Sequence, residues 1–239
     1  MRRDHRPYFI KRAYLNFQEF YVRRFLRPQF ESLGKGSTFI KPWHVEIFGA
    51  PVDIGNYVTV VASSDKKVRF SVWSEKKGKG RIKIGDYCLI LPGVRVSSAF
   101  EIVIGNNCMI ASNTYITDCD WHDIYDRISI GKSAPVTIAD NVWIGDSVII
   151  CKGVSIGKNS VVGAGAVVVD AVPPDVVAAG NPARIVKHMD PEVQRRKRAE
   201  WYAEPDRLFE EFEVWDREVL KGNTLLGWVR SLVSPNKRD

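Results

Sequence analysis

A six-residue period governs the second half of this chain. From Val136 to Asp170 the sequence reads VTIADN VWIGDS VIICKG VSIGKN SVVGAG AVVVD, with Ile138, Ile144, Ile150, Ile156, Val162 and Val168 at a constant spacing of six. Two residues before each anchor stands Val136, Val142, Val148, Val154, Ser160 or Ala166, all small or β-branched, and Gly145, Gly157 and Gly163 follow three of them. This period is neither the alternation of a half-buried strand nor the turn of an α-helix. It fits a short strand plus a turn, three of which close one coil, with successive coils stacked so that their strands form parallel ladders. The aliphatic anchors then point inward, and Gly, Asn or Asp supplies the unusual backbone angles at the corners. At roughly 25 cal/mol per Å² of buried apolar surface, such columns would dominate stability.

The same phase appears earlier with slips. Ile84, Ile90, Val96 and Ile102 form one run, Ile104, Ile110 and Ile116 another displaced by two residues, and Ile54-Gly55 and Val60 an earlier start. The charged, glycine-rich stretch 62–80 and the polar stretch 117–135 interrupt the period and are expected to be loops thrown out of the stack. Three parts follow: an arm over 1–35, a coil domain over 36–187 and a tail over 188–239.

Charge narrows the partners. The net charge is +7, and residues 1–30 hold eight Lys/Arg against Asp4 and Glu19, so six of those seven charges sit in the arm. Basicity confined to a short arm excludes a general nucleic-acid groove and suits a membrane surface, an acidic partner or another subunit. Four cysteines without a short-spaced pair give neither a disulfide scaffold nor a zinc ribbon. No apolar run approaches the ~20 residues of a membrane span, and Lys11 and Arg12 break the N-terminal apolar stretch before it resembles a signal-peptide core. A reduced, cytoplasmic protein is expected, with contact at the inner face of the membrane left open.

Over about residues 36–187 the chain resembles the hexapeptide-repeat acyltransferases, and its closing segments resemble the galactoside, maltose and polysaccharide O-acetyltransferase branch. The segments that carry this are NVWIG (Asn141–Gly145), VVGAGAVV (Val161–Val168) and AAGNPARIVK (Ala178–Lys187). The resemblance implies an all-β solenoid, a left-handed parallel β-helix assembled as a homotrimer with active sites between subunits. The handedness comes from the family alone, since the usual crossover rule favours the other hand. It also implies acetyl-CoA as co-substrate and a saccharide hydroxyl as acceptor.

Acyl transfer to a hydroxyl needs a base active near neutral pH. Of the four histidines, His5 lies in the arm, His44 precedes the regular repeats and His188 trails them; only His122 lies in a loop that interrupts the stack, within TDCDWHDIYDR. It matches the family's catalytic histidine. Asp118, Asp120, Asp123 and Asp126 surround it, and Asp120 is the best candidate to accept Nδ1–H or to touch the acceptor. Trp121 and Tyr125 fit the face of a sugar, or alternatively a subunit contact. By family position Ala164 and Ala166 contact CoA, Trp143 and Asp146 line its thioester end, and Arg184 and Lys187 meet its phosphates. Asn113 is the remaining acceptor-binding candidate. A catalytic zinc needs about three protein ligands, which His44 and His122 do not supply, so no metal is expected. Cys88 and Cys108 take the same repeat position, where a small residue packs, and Cys119 beside His122 is a minor alternative nucleophile.

Residues 7–27 read as a helix ended by Pro28, with Ile10, Tyr14, Phe17, Tyr21 and Phe25 on one face. It suits either the open end of a β-helix or a membrane surface. The tail after Pro191 reads as helical, with stripes at Leu208, Phe212, Trp215, Val219 and at Leu225, Trp228, Val229, Leu232 expected to pack on the coils or on another tail. Three functions remain in play: O-acetylation of a saccharide, N-acetylation of an amino sugar, nucleotide sugar or antibiotic, and a non-catalytic β-helix scaffold.

Overall fold

A computed structural model describes residues 3–73, 80–190 and 192–236. Residues 74–79 of the expected 62–80 loop, Pro191 and the extreme ends of the arm and tail lie outside them. The chain divides into two compact units, Tyr21–Glu200, and Met1–Phe20 together with Trp201–Asp239.

In the larger unit the repeats form three sheets, and successive strands along the chain visit them in turn. The first sheet holds Ser32–Leu33, Val52–Ile54, Ile82–Ile84, Ile102–Ile104, Val136–Ile138 and Ser155–Ile156, and the third Val45–Phe48, Val68–Val72, Arg95–Ser98, Tyr115–Thr117, Ile149–Ile150 and Val167–Val168. The second runs from Thr38–Ile40 through Trp143–Ile144 and Val161–Val162 to Val176–Ala179, where Arg184–His188 turns back antiparallel. Every other strand pairing within the three sheets is parallel among the described residues, and like stacks on like: Ile82, Ile102 and Val136 in one column, Ile90, Ile110, Ile144 and Val162 in another, Phe70, Val96, Ile116, Ile150 and Val168 in a third. All of these are buried in one core cluster. The two-residue slip in the sequence has a simple origin, because Ile102 and Ile104 both point inward from one strand.

Gly93, Gly153, Gly165, Asn107 and Asp175 supply left-handed corner angles as expected, but the glycines that directly follow the anchors do not. At the corner between the first and second sheets, Oδ1 of Asn56, Asp86, Asn106 and Asp140 accepts the backbone N–H of Lys35, Asn56, Asp86 and Asn106, one coil to the next, at 2.7 to 3.0 Å. The left-handed residue is the one that follows, Tyr57, Tyr87, Asn107 or Asn141. Gly85 is needed for room: a Cβ there would lie 2.6 Å from Asn106 Oδ1. An asparagine tolerates left-handed backbone, while Tyr57 and Tyr87 are held there with their rings stacked 5.6 Å apart.

The 62–80 stretch is not wholly a loop. Val68–Val72 is a third-sheet strand with Val68, Phe70 and Val72 inward; its alternation is masked in sequence by Lys66, Lys67 and Arg69. The 117–135 stretch does leave the stack, apart from the strand end at Thr117 and a bridge between Cys119 and Ser133. Leu26 and Phe30 plug the N-terminal end of the core, with Phe30 against Phe39 at 6.0 Å and Phe70 at 6.5 Å.

The N-terminal helix also differs. It is α-helical over Tyr8–Tyr21, widens into a π-turn over Val22–Leu26 and tightens to 3-10 over Arg27–Gln29 around Pro28. Phe17 and Phe25, placed by the periodicity on an inward face, are exposed, and Gln18 is buried instead. In the smaller unit the helix Pro205–Val219 faces this segment through Tyr8 Oη on Glu213 at 2.7 Å and Lys11 Nζ on Asp216 at 2.5 Å. Leu208 is buried, whereas Phe212, Trp215, Val219, Leu225, Val229 and Leu232 are exposed in the single chain. Among the described residues no helix is long and apolar enough to cross a membrane.

Candidate active site

The loop carrying His122 rises from the third-sheet strand Tyr115–Thr117 on a two-stranded stalk. Ala134 N–H donates to Asp118 O, Asp120 N–H to Lys132 O and Gly131 N–H to Asp120 O, each at 2.9 Å. A Cβ on Gly131 would lie 2.6 to 2.7 Å from Asp120 and His122 backbone and side-chain atoms, so the stalk closes only with glycine there.

Three side chains fix the stalk just before the histidine. Asp118, fully buried, accepts from Ser98 Oγ at 2.6 Å and from the N–H groups of Ala99 and Phe100 at 2.6 and 2.9 Å. Asp120 Oδ2 takes Lys152 Nζ at 2.6 Å. Trp121 Nε1 donates to Tyr115 Oη at 3.0 Å, and Arg95 lies over the Tyr115 ring at 4.4 Å. His122 is exposed, and among the described residues no hydrogen bond or ion pair engages its imidazole. The expected Asp120–His122 contact is therefore not made: the cation one coil away captures that carboxylate. Tyr125 stands at the loop tip, 91% exposed, and among the described residues no ring contact engages its side chain.

A second group gathers at the corner between the second and third sheets. Asn113, with left-handed backbone, donates from Nδ2 to Asp146 Oδ1 at 3.4 Å, and Ser147 Oγ donates to the same oxygen at 2.5 Å. Those two donors, Ser147 first, lower the Asp146 pKa below the ordinary carboxylate range. One coil on, Gly165 N–H donates to Asp146 O at 2.8 Å, and Ala164 packs on Gly145. Around Gly165 a Cβ would meet nothing within 4 Å, so the outer corner is open to an approaching chain. Trp143 stands outward on the neighbouring strand, 50% exposed. Ala166 is a correction: its side chain is fully buried in the core, and its N–H and C=O bind Gly163 and Ile149. Arg184 is exposed and bound to Asp170 at 3.1 Å, and Lys187 is exposed on the same strand.

The two groups are not adjacent within one chain. Asn113 and Asp118 lie off opposite ends of the strand Tyr115–Thr117, five extended residues apart, which is roughly 15 Å. Sequence reading missed Lys152, Tyr115 and Ser98. Tyr115 carried a signal, as an outward aromatic at a strand position; Lys152 carried none, since only coil stacking brings it to Asp120.

The cysteines read as packing. Cys88 Sγ and Cys108 Sγ donate to Gly105 O and Ala139 O at 3.1 Å. Burial pushes the Cys119 thiol up, with Asp118 and Asp120 adding to it, which disfavours a nucleophilic thiolate. Among the described residues no group of three or more His, Cys, Asp or Glu gathers to hold a metal ion.

Two family models match the coils: "Bacterial transferase hexapeptide (six repeats)" over residues 135–170 and "Hexapeptide repeat of succinyl-transferase" over 81–118. The galactoside O-acetyltransferase of Escherichia coli K12 is 40% identical over 94 residues, 38% of this chain and 46% of that protein. The Escherichia coli K12 protein named "Putative lipopolysaccharide biosynthesis O-acetyl transferase WbbJ" is 31% identical over 133 residues, 51% of this chain and 68% of that protein. A solved maltose O-acetyltransferase from Clostridium difficile 630 is similar at 27% identity over 77% of this chain and 88% of that one, with a TM-score of 0.46. The chain spans about half the length of the first curated relatives it matches, 46%, 55% and 45%.

Proposed function

The chain belongs to the hexapeptide-repeat acyltransferase family, and on that premise we propose that it moves an acetyl group from acetyl-CoA to a saccharide hydroxyl, with His122 as general base. The observation that carries this reading is the exposed imidazole on a stalk fixed by Asp118, Asp120 and Trp121. A held stalk fixes the backbone from which the imidazole reaches, leaving the base less freedom to lose on reaction.

In this reading Nε2 of His122 accepts the proton of the acceptor hydroxyl as its oxygen attacks the thioester carbonyl. The tetrahedral oxyanion collapses, the new ester C–O bond remains, and the CoA thiolate leaves and takes the proton back from the imidazolium. With Asp120 held by Lys152, solvent or the acceptor stabilises the imidazolium in its place. The corner of Asn113, Asp146 and Ala164, beside Trp143, fits the pantetheine arm and thioester: small residues leave backbone open to an added extended chain. Arg184 and Lys187 suit the CoA phosphates. Because His122 and this corner lie off opposite ends of one strand, we assign them to two different clefts, each completed by a neighbouring protomer of a homotrimer of left-handed β-helices. Exposed Phe9 and the arm's positive charge suit peripheral membrane contact.

The test is product analysis. Incubation with acetyl-CoA and matched neutral and amino sugars yields free CoA and a singly acetylated sugar whose acetyl group is released by hydroxylamine, as an ester is. A hydroxylamine-stable product would make the enzyme an N-acetyltransferase, and no product would return it to a scaffold.

A further inference from the structure

We propose that the acceptor is an oligosaccharide, held beyond its reacting sugar by an aromatic rail of Phe48, Trp73 and Trp121 that leads into His122. The inference rests on the saccharide acetyl transfer proposed above and deepens it, by naming the part of the surface that selects the acceptor.

The rail is built from separate coils. Phe48 ends one third-sheet strand, Trp73 follows the next strand Val68–Val72, and Trp121 stands at the top of the stalk after Tyr115–Thr117. The coil between contributes Ala99, too small to interrupt the row. The ring centroids of Phe48 and Trp73 are 4.2 Å apart and those of Trp73 and Trp121 6.4 Å apart, the second pair edge to face. All three therefore line the corner between the third and first sheets, and the rail ends one residue before His122.

The fold does not require these rings. The core is made of inward aliphatic columns and the Phe30, Phe39 and Phe70 plug, all buried, whereas Phe48 remains 53% and Trp73 50% exposed although packed on each other. These rings thus form apolar surface outside the core. The orientation is also fixed. Tyr115 Oη holds the Trp121 indole N–H, and Arg95 covers the Tyr115 ring, so the Trp121 plane is set before any ligand arrives.

The chemistry selects a sugar chain. A pyranose presents a face of C–H groups and a rim of hydroxyls. The negative face of an aromatic ring attracts the C–H face, and Arg95 at the edge offers donors to the rim. A row of rings binds consecutive sugars, whereas a single sugar at His122 would reach only Trp121. Stacking on C–H faces tolerates changes of sugar, so the rail selects for chain length more than for identity.

The experiment uses the full chain with glucose, maltose and longer malto-oligosaccharides, and the matching galactose series, read by tryptophan fluorescence and by CoA release. From monosaccharide to trisaccharide, Kd and KM are expected to fall about tenfold, the combined effect of two added ring contacts. Trp73→Ala and, separately, Phe48→Ala should erase that gain, with melting curves and light scattering confirming fold and assembly. Binding that does not change with chain length overturns the proposal, as does loss of the assembly in both variants, which would make the rail a subunit contact. Length-dependent binding without CoA release would sink the acetyl-transfer reading and leave the rail standing. CoA release indifferent to length would do the reverse.

Discussion

Around His122 the successive residues alternate in what they do. Asp118 turns into the core edge, Cys119 is buried with its Sγ on Asp120 O at 3.2 Å, Asp120 and Trp121 are held by Lys152 and Tyr115, and only the imidazole is left exposed. This arrangement makes Cys119 a packing residue. Its thiol, like that of Cys151, is raised chiefly by burial, so the folded state keeps a proton that the unfolded state releases. The stability these thiols contribute is whole below the ordinary thiol value of 9.0 and is lost as pH rises through their folded-state values. Cys119→Ser should therefore keep wild-type turnover at neutral pH and unfold less steeply with rising pH above that value. A folded Cys119→Ser protein without turnover would restore the thiol as nucleophile. His122 was legible because it is the one histidine in a loop breaking the period. The fate of Asp120 was not, because Lys152 is distant along the chain and no local pattern pairs them.

At the scale of elements, the period predicted the ladders because each coil repeats one short-strand solution, and inward identity survives register from Ile82 to Val168. What it concealed was set by side chains that obscure alternation, as in Val68–Val72, and by packing at helix ends, where the face of Tyr8–Tyr21 follows neighbours rather than hydrophobicity. The C-terminal stretch before Glu200 was unreadable for the same reason. Arg195 pairs with Asp175 at 2.5 Å, Arg198 Nε donates to Tyr87 O at 2.9 Å, and Ala199 N–H to Asn107 Oδ1 at 2.7 Å, a strap along the coil corners made of polar contacts. The stalk is the element that carries the proposed base. Asp118→Ala would strand the Ser98 hydroxyl and two backbone N–H groups in a buried place, costing about 3 kcal/mol. Hydrogen exchange should show protection lost at Ala99 and Phe100 while the inner strands keep theirs. Unchanged protection at those two amides would mean that Asp118 does not hold the stalk.

For the molecule as a whole, the three corners of the coil stack present different chemistry: asparagine and aspartate ladders along one, the open Gly165 edge along another, the aromatic row and the histidine stalk along the third. Family membership was readable from NVWIG and GNPAR before any coordinates, and the three-sheet stack agrees with it. The separation of the stalk from the Asn113–Asp146 corner was not readable, since it depends on which end of a strand each residue leaves. The direct test of the account is CoA release by the His122→Ala protein, with acetyl-CoA binding and assembly checked in the same preparation. The account predicts loss of turnover by about a hundredfold or more, the usual worth of a general base, with binding intact. Ordinary turnover in that variant would contradict it.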